Sequence, residues 1–353
     1  MYPDFTDDLI PIVRDCARYG IIFILTINSD TLYRRLDESF PNRYTFKLSD
    51  TSEYRDIFST TKKIEPRKIF GRGLVNNGEV HEFQTASLLK DTTDEVKKLK
   101  EIGIKLRELN PIPVPKIPSL PDYVTYDFVK QSINSLENVP IGIKKNGLEI
   151  EKYDFTAYPS TNISSNKLEN MELFIGNLLN VLSKINNLKI TLIDPQMVFS
   201  KFKSIFTQYI NEDFDDNIEK INKDLESENK NGRTLLIIYG VEKTASKLSN
   251  QDILEEISDK IKKSENANLI LVDAARKLKA LDYETWYSSI TTNSDGIWIG
   301  KGMDDQSVFS ISAITKEMSK KYGNNFGWCI KDQEAELIKL LDFDEKGDLK
   351  NEE

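Results

Sequence analysis

Thr234-Leu-Leu-Ile-Ile-Tyr239, Asp252-Ile-Leu-Glu-Glu-Ile-Ser-Asp-Lys-Ile-Lys-Lys263 and Asn268-Leu-Ile-Leu-Val272 follow one another in the chain, and their reading decides the fold. The first and third segments are unbroken apolar runs of strand length. A strand that is apolar on both faces belongs in a parallel sheet covered from both sides. In the segment between them, Leu254, Ile257 and Ile261 recur at helical spacing. The same alternation extends outward. It predicts strands over 189–193, 296–299, 308–311, 328–330 and 337–341, an amphipathic helix over 168–182, and a mostly helical stretch over 199–229 that is very polar at its end. Residues 141–143 and 148–150 read as a hairpin around Asn146-Gly147. Strands alternating with helices make an α/β fold, a mostly parallel sheet with helices on both faces.

Composition sets the bounds. The chain has 353 residues, of which 39% are hydrophobic and 30% charged, enough for two or more globular domains. Its longest apolar runs, such as 21–25 and 235–238, are far short of the roughly 20 residues a membrane helix needs. No N-terminal apolar segment reads as a signal peptide. The net charge is −9, with no basic stripe interleaved with aromatics. A duplex-tracking protein shows such a stripe, because neutralising phosphates supplies most of its affinity, so nucleic acid is not the expected partner. Cys16 and Cys329 lie far apart and His81 is the only histidine. That excludes the usual zinc sites and a Cys/His nucleophile and fits reduced, packed cysteines of a cytosolic protein.

Residues 1–90 alternate helix and strand on their own account. Leu9, Ile12, Val13, Cys16 and Ala17 predict a helix over 7–19 that Gly20 stops, and 21–27 reads as a buried parallel strand. A helix over 31–40, a strand over 44–48 and a helix over 50–59 follow, the last with Asp50, Thr51 and Ser52 as capping side chains. Residues 74–75 and 80–83 read as a hairpin around Asn76-Asn77-Gly78. After a polar helix over 91–110 come five prolines within 111–121, an extended, stiff linker. The expected layout is a partial module over 1–90, helix and linker over 91–138, a complete module over 139–342 and an acidic tail over 343–353.

An internal repeat joins the two parts. Tyr44-Thr-Phe-Lys-Leu-Ser-Asp-Thr-Ser-Glu-Tyr54 is similar in order and character to Ile297-Trp-Ile-Gly-Lys-Gly-Met-Asp-Asp-Gln306. Gly73-Leu-Val-Asn-Asn-Gly-Glu-Val-His-Glu-Phe83 is similar to Gly327-Trp-Cys-Ile-Lys-Asp-Gln-Glu-Ala-Glu-Leu337. The first part thus reads as the C-terminal half of the fold whose whole copy follows the linker.

Four features of the first part, Ile12-Val-Arg-Asp-Cys-Ala-Arg-Tyr-Gly-Ile-Ile-Phe-Ile-Leu-Thr26, Ser49-Asp50 with Tyr54 and Ile57, Gly71-Arg-Gly-Leu74 and Phe83-Gln-Thr-Ala86, resemble FtsK/SpoIIIE-type ATPases, specifically EssC-type motors of type VII secretion. Ile117-Pro-Ser-Leu-Pro121 and Val139-Pro-Ile-Gly-Ile143 resemble that family's junction between its second and third ATPase modules. The resemblance covers the whole chain, most specifically 10–90 and 110–145. It implies a P-loop NTPase-like (RecA-like) fold. It also implies a parent motor at the cytoplasmic face of the membrane that exports small helical proteins. By it, the first part lacks the half of a module that carries the Walker A loop and the Walker B strand.

The third module departs from the family where nucleotide would bind. A P-loop wraps phosphates with glycine backbone N–H groups, then sets Lys on their charge and Ser or Thr on Mg²⁺. The matching stretch here is Ile163-Ser-Ser-Asn-Lys-Leu-Glu-Asn-Met171, with no glycine and with Glu169, Asn170 and Met171 in place of Gly-Lys-Ser/Thr. The Walker B strand of the family ends in carboxylates, whereas 235–239 ends in Tyr239-Gly240. The arginine of Gly71-Arg-Gly73 is replaced in the second copy by Phe326. Ser164, Ser165, Asn166, Lys167 and Asn170 are accordingly the degenerate nucleotide-site candidates. No cofactor is expected, and ATP with Mg²⁺ enters only if the loop is an atypical but working one.

Other residues carry two readings each. Thr26 is either a strand-end threonine or the family's polar sensor beside the γ-phosphate, and Arg72 is either a turn arginine or a contact to nucleotide or a neighbouring subunit. Asp194 and Asp273 read as turn or strand-end residues. Trp286, Tyr287 and Trp328 are either core or an exposed aromatic pocket for a partner. The function expected is a pseudo-ATPase module that recognises secreted substrates or adaptors or regulates the rest of the motor. The alternative is an ATPase module with an atypical phosphate loop.

Overall fold

The computed structural model describes residues 3–27, 38–59, 64–76, 78–87, 93–110, 112, 118–226 and 232–343. The chain divides into two units, Met1–Pro115 and Lys116–Glu353.

In the first unit, helix α1 (Pro3–Asp15) runs into a 3-10 turn over Cys16–Tyr19, and Gly20 closes it at φ +71°, a left-handed conformation that glycine adopts without penalty. Helix α2 (Thr51–Phe58) starts where Asp50 accepts a hydrogen bond from the Ser52 N–H at 2.8 Å. Strands β1 (Tyr44–Thr45), β2 (Arg72–Asn76) and β3 (Val80–Gln84) form an antiparallel sheet over Tyr54, Phe58 and Leu74. Helix α3 (Glu95–Leu109) follows. The buried strand expected over 21–27 is absent. The segment forms neither helix nor strand and pairs with no strand among the described residues, and Ile22 and Ile24 are almost fully exposed. A parallel strand is stable only when both neighbours and both face layers are present, and no described element supplies them. The helix expected over 31–40 lies largely outside the described residues, as do Asn77 of the hairpin turn, most of the proline linker and all of the acidic tail but Phe343.

The second unit begins inside the linker. Val124 bridges to Leu341, and Val129 and Leu136 are buried in the main core, so 118–138 is part of this body. It contains α4 (Tyr126–Val129), β4 (Val139–Lys144), β5 (Ile150–Tyr153), β6 (Ser160–Ser165), α5 (Glu172–Leu182), β7 (Leu188–Ile193), β8 (Gln208–Ile210), α6 (Phe214–Glu226) and β9 (Arg233–Tyr239). Then come α7 (Val241–Ala245), α8 (Asp252–Lys263), β10 (Ala267–Ala274), α9 (Ala275–Ala280), α10 (Thr285–Ile290), β11 (Gly296–Ile299), β12 (Phe326–Lys331) and β13 (Glu334–Leu340).

All ten strands form one sheet in the order β5-β4-β13-β12-β11-β6-β10-β9-β7-β8. The pairings from β11 through β8 are parallel, and those from β5 through β11 are antiparallel. Helix α5 covers one face with Phe174, Ile175, Leu178 and Leu179. Helices α6, α8 and α10 cover the other with Ile218, Ile257 and Tyr287. The predicted strand–helix–strand at the start of the sequence reading is β9, α8 and β10, displaced by at most two residues at any end.

Three local expectations are corrected. The 199–229 stretch contains an edge strand, β8, because Phe206 and Ile210 are buried against the sheet. No strand forms at 308–311. The Gln306 side chain accepts from the Val308 and Phe309 N–H groups and donates to the Phe309 carbonyl, occupying the bonds a ladder would use. The helix expected over 168–182 begins as a 3-10 turn, Leu168–Met171, and α5 is buried nearly all round rather than amphipathic.

The repeat is visible as register. Tyr44 pairs with Val75 and Thr45 with Leu74, while Ile297 pairs with Cys329 and Trp298 with Trp328. Matched glycines also do the same work. A Cβ on Gly73 would stand 2.3 Å from the Thr45 carbonyl oxygen, and one on Gly327 would stand 2.7 Å from that of Trp298.

Candidate functional site

Strand β6 is the centre of the site, and its sequence, Ser-Thr-Asn-Ile-Ser-Ser, hides it. It has one apolar residue, yet every residue of it is buried. Its three serine hydroxyls are satisfied by backbone carbonyls of neighbouring elements. Ser160 Oγ donates to Ile290 O at 2.9 Å, Ser164 Oγ to Asp273 O at 2.9 Å, and Ser165 Oγ to Ile299 O at 2.8 Å. The strand pairs in parallel with β10 on one side and β11 on the other.

From β6 the chain leaves to α5 on one face, whereas from β9 and β10 it leaves to helices on the other. The crevice at the carboxyl ends of β6 and β10 is therefore the topological switch point, where ligands of open α/β sheets bind. The loop from Asn166 to the 3-10 turn at Leu168–Met171 and helix α5 lines it, in the strand–loop–helix context of a P-loop.

Protein groups fill the bonding positions of this loop. Asn166 Nδ2 donates to Lys301 O at 3.1 Å. Asn170 Nδ2 donates to Ser165 Oγ at 3.1 Å, and Asn324 Nδ2 donates to Asn170 Oδ1 at 3.2 Å. The Asn170 N–H turns back to Lys167 O, and Tyr239 Oη donates to Leu168 O at 3.3 Å. Gly300 and Gly302, both at positive φ, let the connection after β11 approach. A Cβ on Gly302 would stand 2.6 Å from Asn166 Nδ2, and one on Gly300 2.9 Å from Asn324 Oδ1. Lys167 and Glu169 point to solvent.

The carboxylates at neighbouring strand ends are engaged elsewhere. Asp273 is fully buried at the end of β10. Burial pushes its carboxyl up, against the Glu242 and Ala274 N–H groups that donate to it at 3.0 and 2.8 Å. Asp194, after β7, accepts from the Phe199 N–H at 2.8 Å and from Tyr209 Oη at 2.9 Å, a turn-closing role. Burial in turn pushes the Tyr209 phenol up. Strand β9 ends at Tyr239 and Gly240 follows it, so no carboxylate stands where a magnesium ligand would project. Among the described residues no three His, Cys, Asp or Glu side chains group to hold a metal ion. The site does not fit a nucleoside triphosphate with Mg²⁺: the loop has no glycine, its side-chain amides are committed to the protein, and the metal-binding position is empty of carboxylate.

This geometry can be set beside solved structures. ATPases 2 and 3 of EssC from Geobacillus thermodenitrificans superpose with a TM-score of 0.73 at 15% identity, over 97% of this chain and 68% of that one. The fold is that of the EssC ATPase modules. ATPases 2 and 3 of EccC from Thermomonospora curvata, in complex with a signal sequence peptide, match with a TM-score of 0.58 at 16% identity, over 97% of this chain and 66% of that one. The cytoplasmic domain of EssC matches with a TM-score of 0.56 at 15% identity, over 98% of this chain and 72% of that one. The chain thus spans about two thirds to three quarters of the length of these EssC and EccC chains. No family model and no curated protein matches the sequence.

Ser164, Ser165, Asn166, Lys167 and Asn170 meet at the crevice. Thr26 lies in the exposed 21–27 segment. Arg72 opens β2 with its NH1 3.6 Å from Glu82 Oε2, a charge shared with Arg67, which bonds the same carboxylate at 2.7 Å. Trp286, Tyr287 and Trp328 are core residues, each no more than 5% exposed, so they form no exposed aromatic pocket. Tyr287 and Trp286 face the sheet from α10, whose apolar side has nowhere else to go. Sequence reading missed Asn324, which carried no signal, and Gly300 and Gly302, whose only signal was the Gly-Lys-Gly of the repeat.

Proposed function

We propose that this chain is a C-terminal pseudo-ATPase module of a type VII secretion motor, which uses a P-loop-like fold to bind secreted substrates or partner subunits or to regulate the motor. The observation that carries the reading is the loop after β6, held shut by Asn166, Asn170 and Asn324 at the place where the fold would otherwise cradle phosphate. The absence of a carboxylate at the end of β9 supports it independently. The EccC neighbour holds a signal sequence peptide, which favours a polypeptide as the ligand class. Secreted helical proteins and other motor subunits are the partners in this reading. The parent motor would sit at the cytoplasmic face of the membrane. No helix among the described residues is long and apolar enough to cross one.

Calorimetry of the whole chain with ATP and Mg²⁺ tests the proposal. No saturable heat is expected. Saturable binding that Lys167→Ala abolishes would overturn it in favour of an atypical working phosphate loop.

A further inference from the structure

The first unit contains a cavity of about 800 Å³ between the turn before β2, the strand end after β3 and the start of α3. Its charge runs against the rest of the chain. The protein carries nine more acidic than basic side chains, yet four cations, Lys47, Arg67, Lys68 and Arg72, line this cavity against one carboxylate, Glu95. Glu82 behind it bonds Arg67 and lies 3.6 Å from Arg72, so a single carboxylate is divided between two guanidinium groups. Among the described residues, Lys47 and Lys68 make no ion pair and the buried Arg72 Nε has no hydrogen-bond partner. Unspent cations in a concave site are the electrostatic footprint of an anionic ligand.

The apolar part of the same cavity narrows the ligand class. Phe46, Ile69 and Phe70 line it while remaining half to nine-tenths exposed, at 53%, 50% and 90%. Large apolar side chains left in water beside a pocket are anchors for an apolar partner surface. A small inorganic anion would satisfy the cations and leave these rings wet. A polypeptide segment that alternates acidic and large apolar side chains satisfies both.

The geometry points to a binding site for such an acidic, apolar-anchored peptide segment, centred on Lys68 and Phe70 and reaching to Arg72. This site is built wholly from the first unit and does not depend on whether the crevice of the second unit binds nucleotide.

Fluorescence anisotropy of the full-length chain tests it, with the labelled hexapeptide Leu-Glu-Phe-Glu-Leu-Glu as probe. The expected result is saturable binding that weakens as salt rises. Lys68→Glu and Phe70→Ala are each expected to weaken it by about tenfold. Both side chains are exposed, so neither change threatens folding. Three results would overturn the proposal. One is equal binding of the Leu-Lys-Phe-Lys-Leu-Lys counterpart. Another is full competition by millimolar inorganic phosphate, which would mark a simple anion site. The third is binding to the acidic peptide that is absent, or unchanged in both variants. Calorimetry with ATP reads the crevice separately, so failure here leaves the pseudo-ATPase reading standing.

Discussion

Asn324 donates its side-chain amide to Asn170 Oδ1 at 3.2 Å, tying the long connection after β11 to the loop after β6 across 154 residues of sequence. The bond lies on the protein surface, so its net worth is below about 1 kcal/mol. Asn324→Ala should leave the urea midpoint nearly unchanged. Amide exchange across 166–171 should quicken, because the loop loses its outer tie. Hydrogen exchange with mass spectrometry checks both halves, and unchanged exchange in that loop would remove Asn324 from the closing contacts.

Trp286→Ala removes a buried side chain from the core under α10. A loss of about 3–5 kcal/mol in unfolding free energy is expected from the cavity left behind. A variant that folds normally and loses only partner binding would contradict the burial described above.

Gly296 opens β11 at φ +153°, where an added Cβ would stand 2.6 Å from the Asn162 carbonyl oxygen and 2.3 Å from the Phe309 ring. The clash is partly with backbone of the central strand, which cannot swing aside. Gly296→Ala should cost about 1–3 kcal/mol, read from chemical denaturation.

Glu317 bonds Lys145, Tyr322 and Lys320, the last at 2.8 Å, and so pins the long connection to the β4–β5 turn. Burial pushes its carboxyl up, but these donors outweigh it and hold the group at about 2, below its ordinary 4.5. A carboxylate depressed in the folded state contributes stability that is present above the ordinary value and lost as pH falls through the folded one. Stability should therefore decline between pH 4.5 and about 2, and Glu317→Gln should flatten that limb. Equal acid slopes in the two proteins would assign the decline to other groups.

Cys329 is buried on β12, and burial pushes its thiol up, so the reactive thiolate is scarce. Iodoacetamide should label Cys329 in the native protein only as fast as the chain unfolds, measured by peptide mapping with and without denaturant.

Elements were legible in the sequence where side-chain pattern and burial agree. Strands β9 and β10 are apolar throughout because both faces are covered, and α8 shows its buried stripe at Leu254, Ile257 and Ile261. Turns that need special backbone at Gly20 and Gly147 announced themselves by residue type, whereas Leu148, also at positive φ, did not. Pattern failed where the ladder and cross-sheet hydroxyl bonds, rather than apolar contact, hold a strand. Strand β6, with one apolar residue in six, carries no strand signal and is the middle of the sheet. It failed in the opposite sense at 21–27, an apolar run left without neighbours.

By itself the sequence determined that the chain is α/β, that the end of its second part repeats its first, and that the loop at 163–171 lacks glycine, since these follow from local residue type and spacing. Only the tertiary structure decided that this loop closes on Asn324 and Lys301, that Trp286 and Trp328 are core, and that four cations gather around one cavity in an acidic chain. The loop closure and the two tryptophan environments are meetings of residues distant in sequence, and the cavity joins Lys47 to the 67–72 turn and the start of α3; strand order and helix placement set these meetings, and no local pattern encodes which partner a side chain will find.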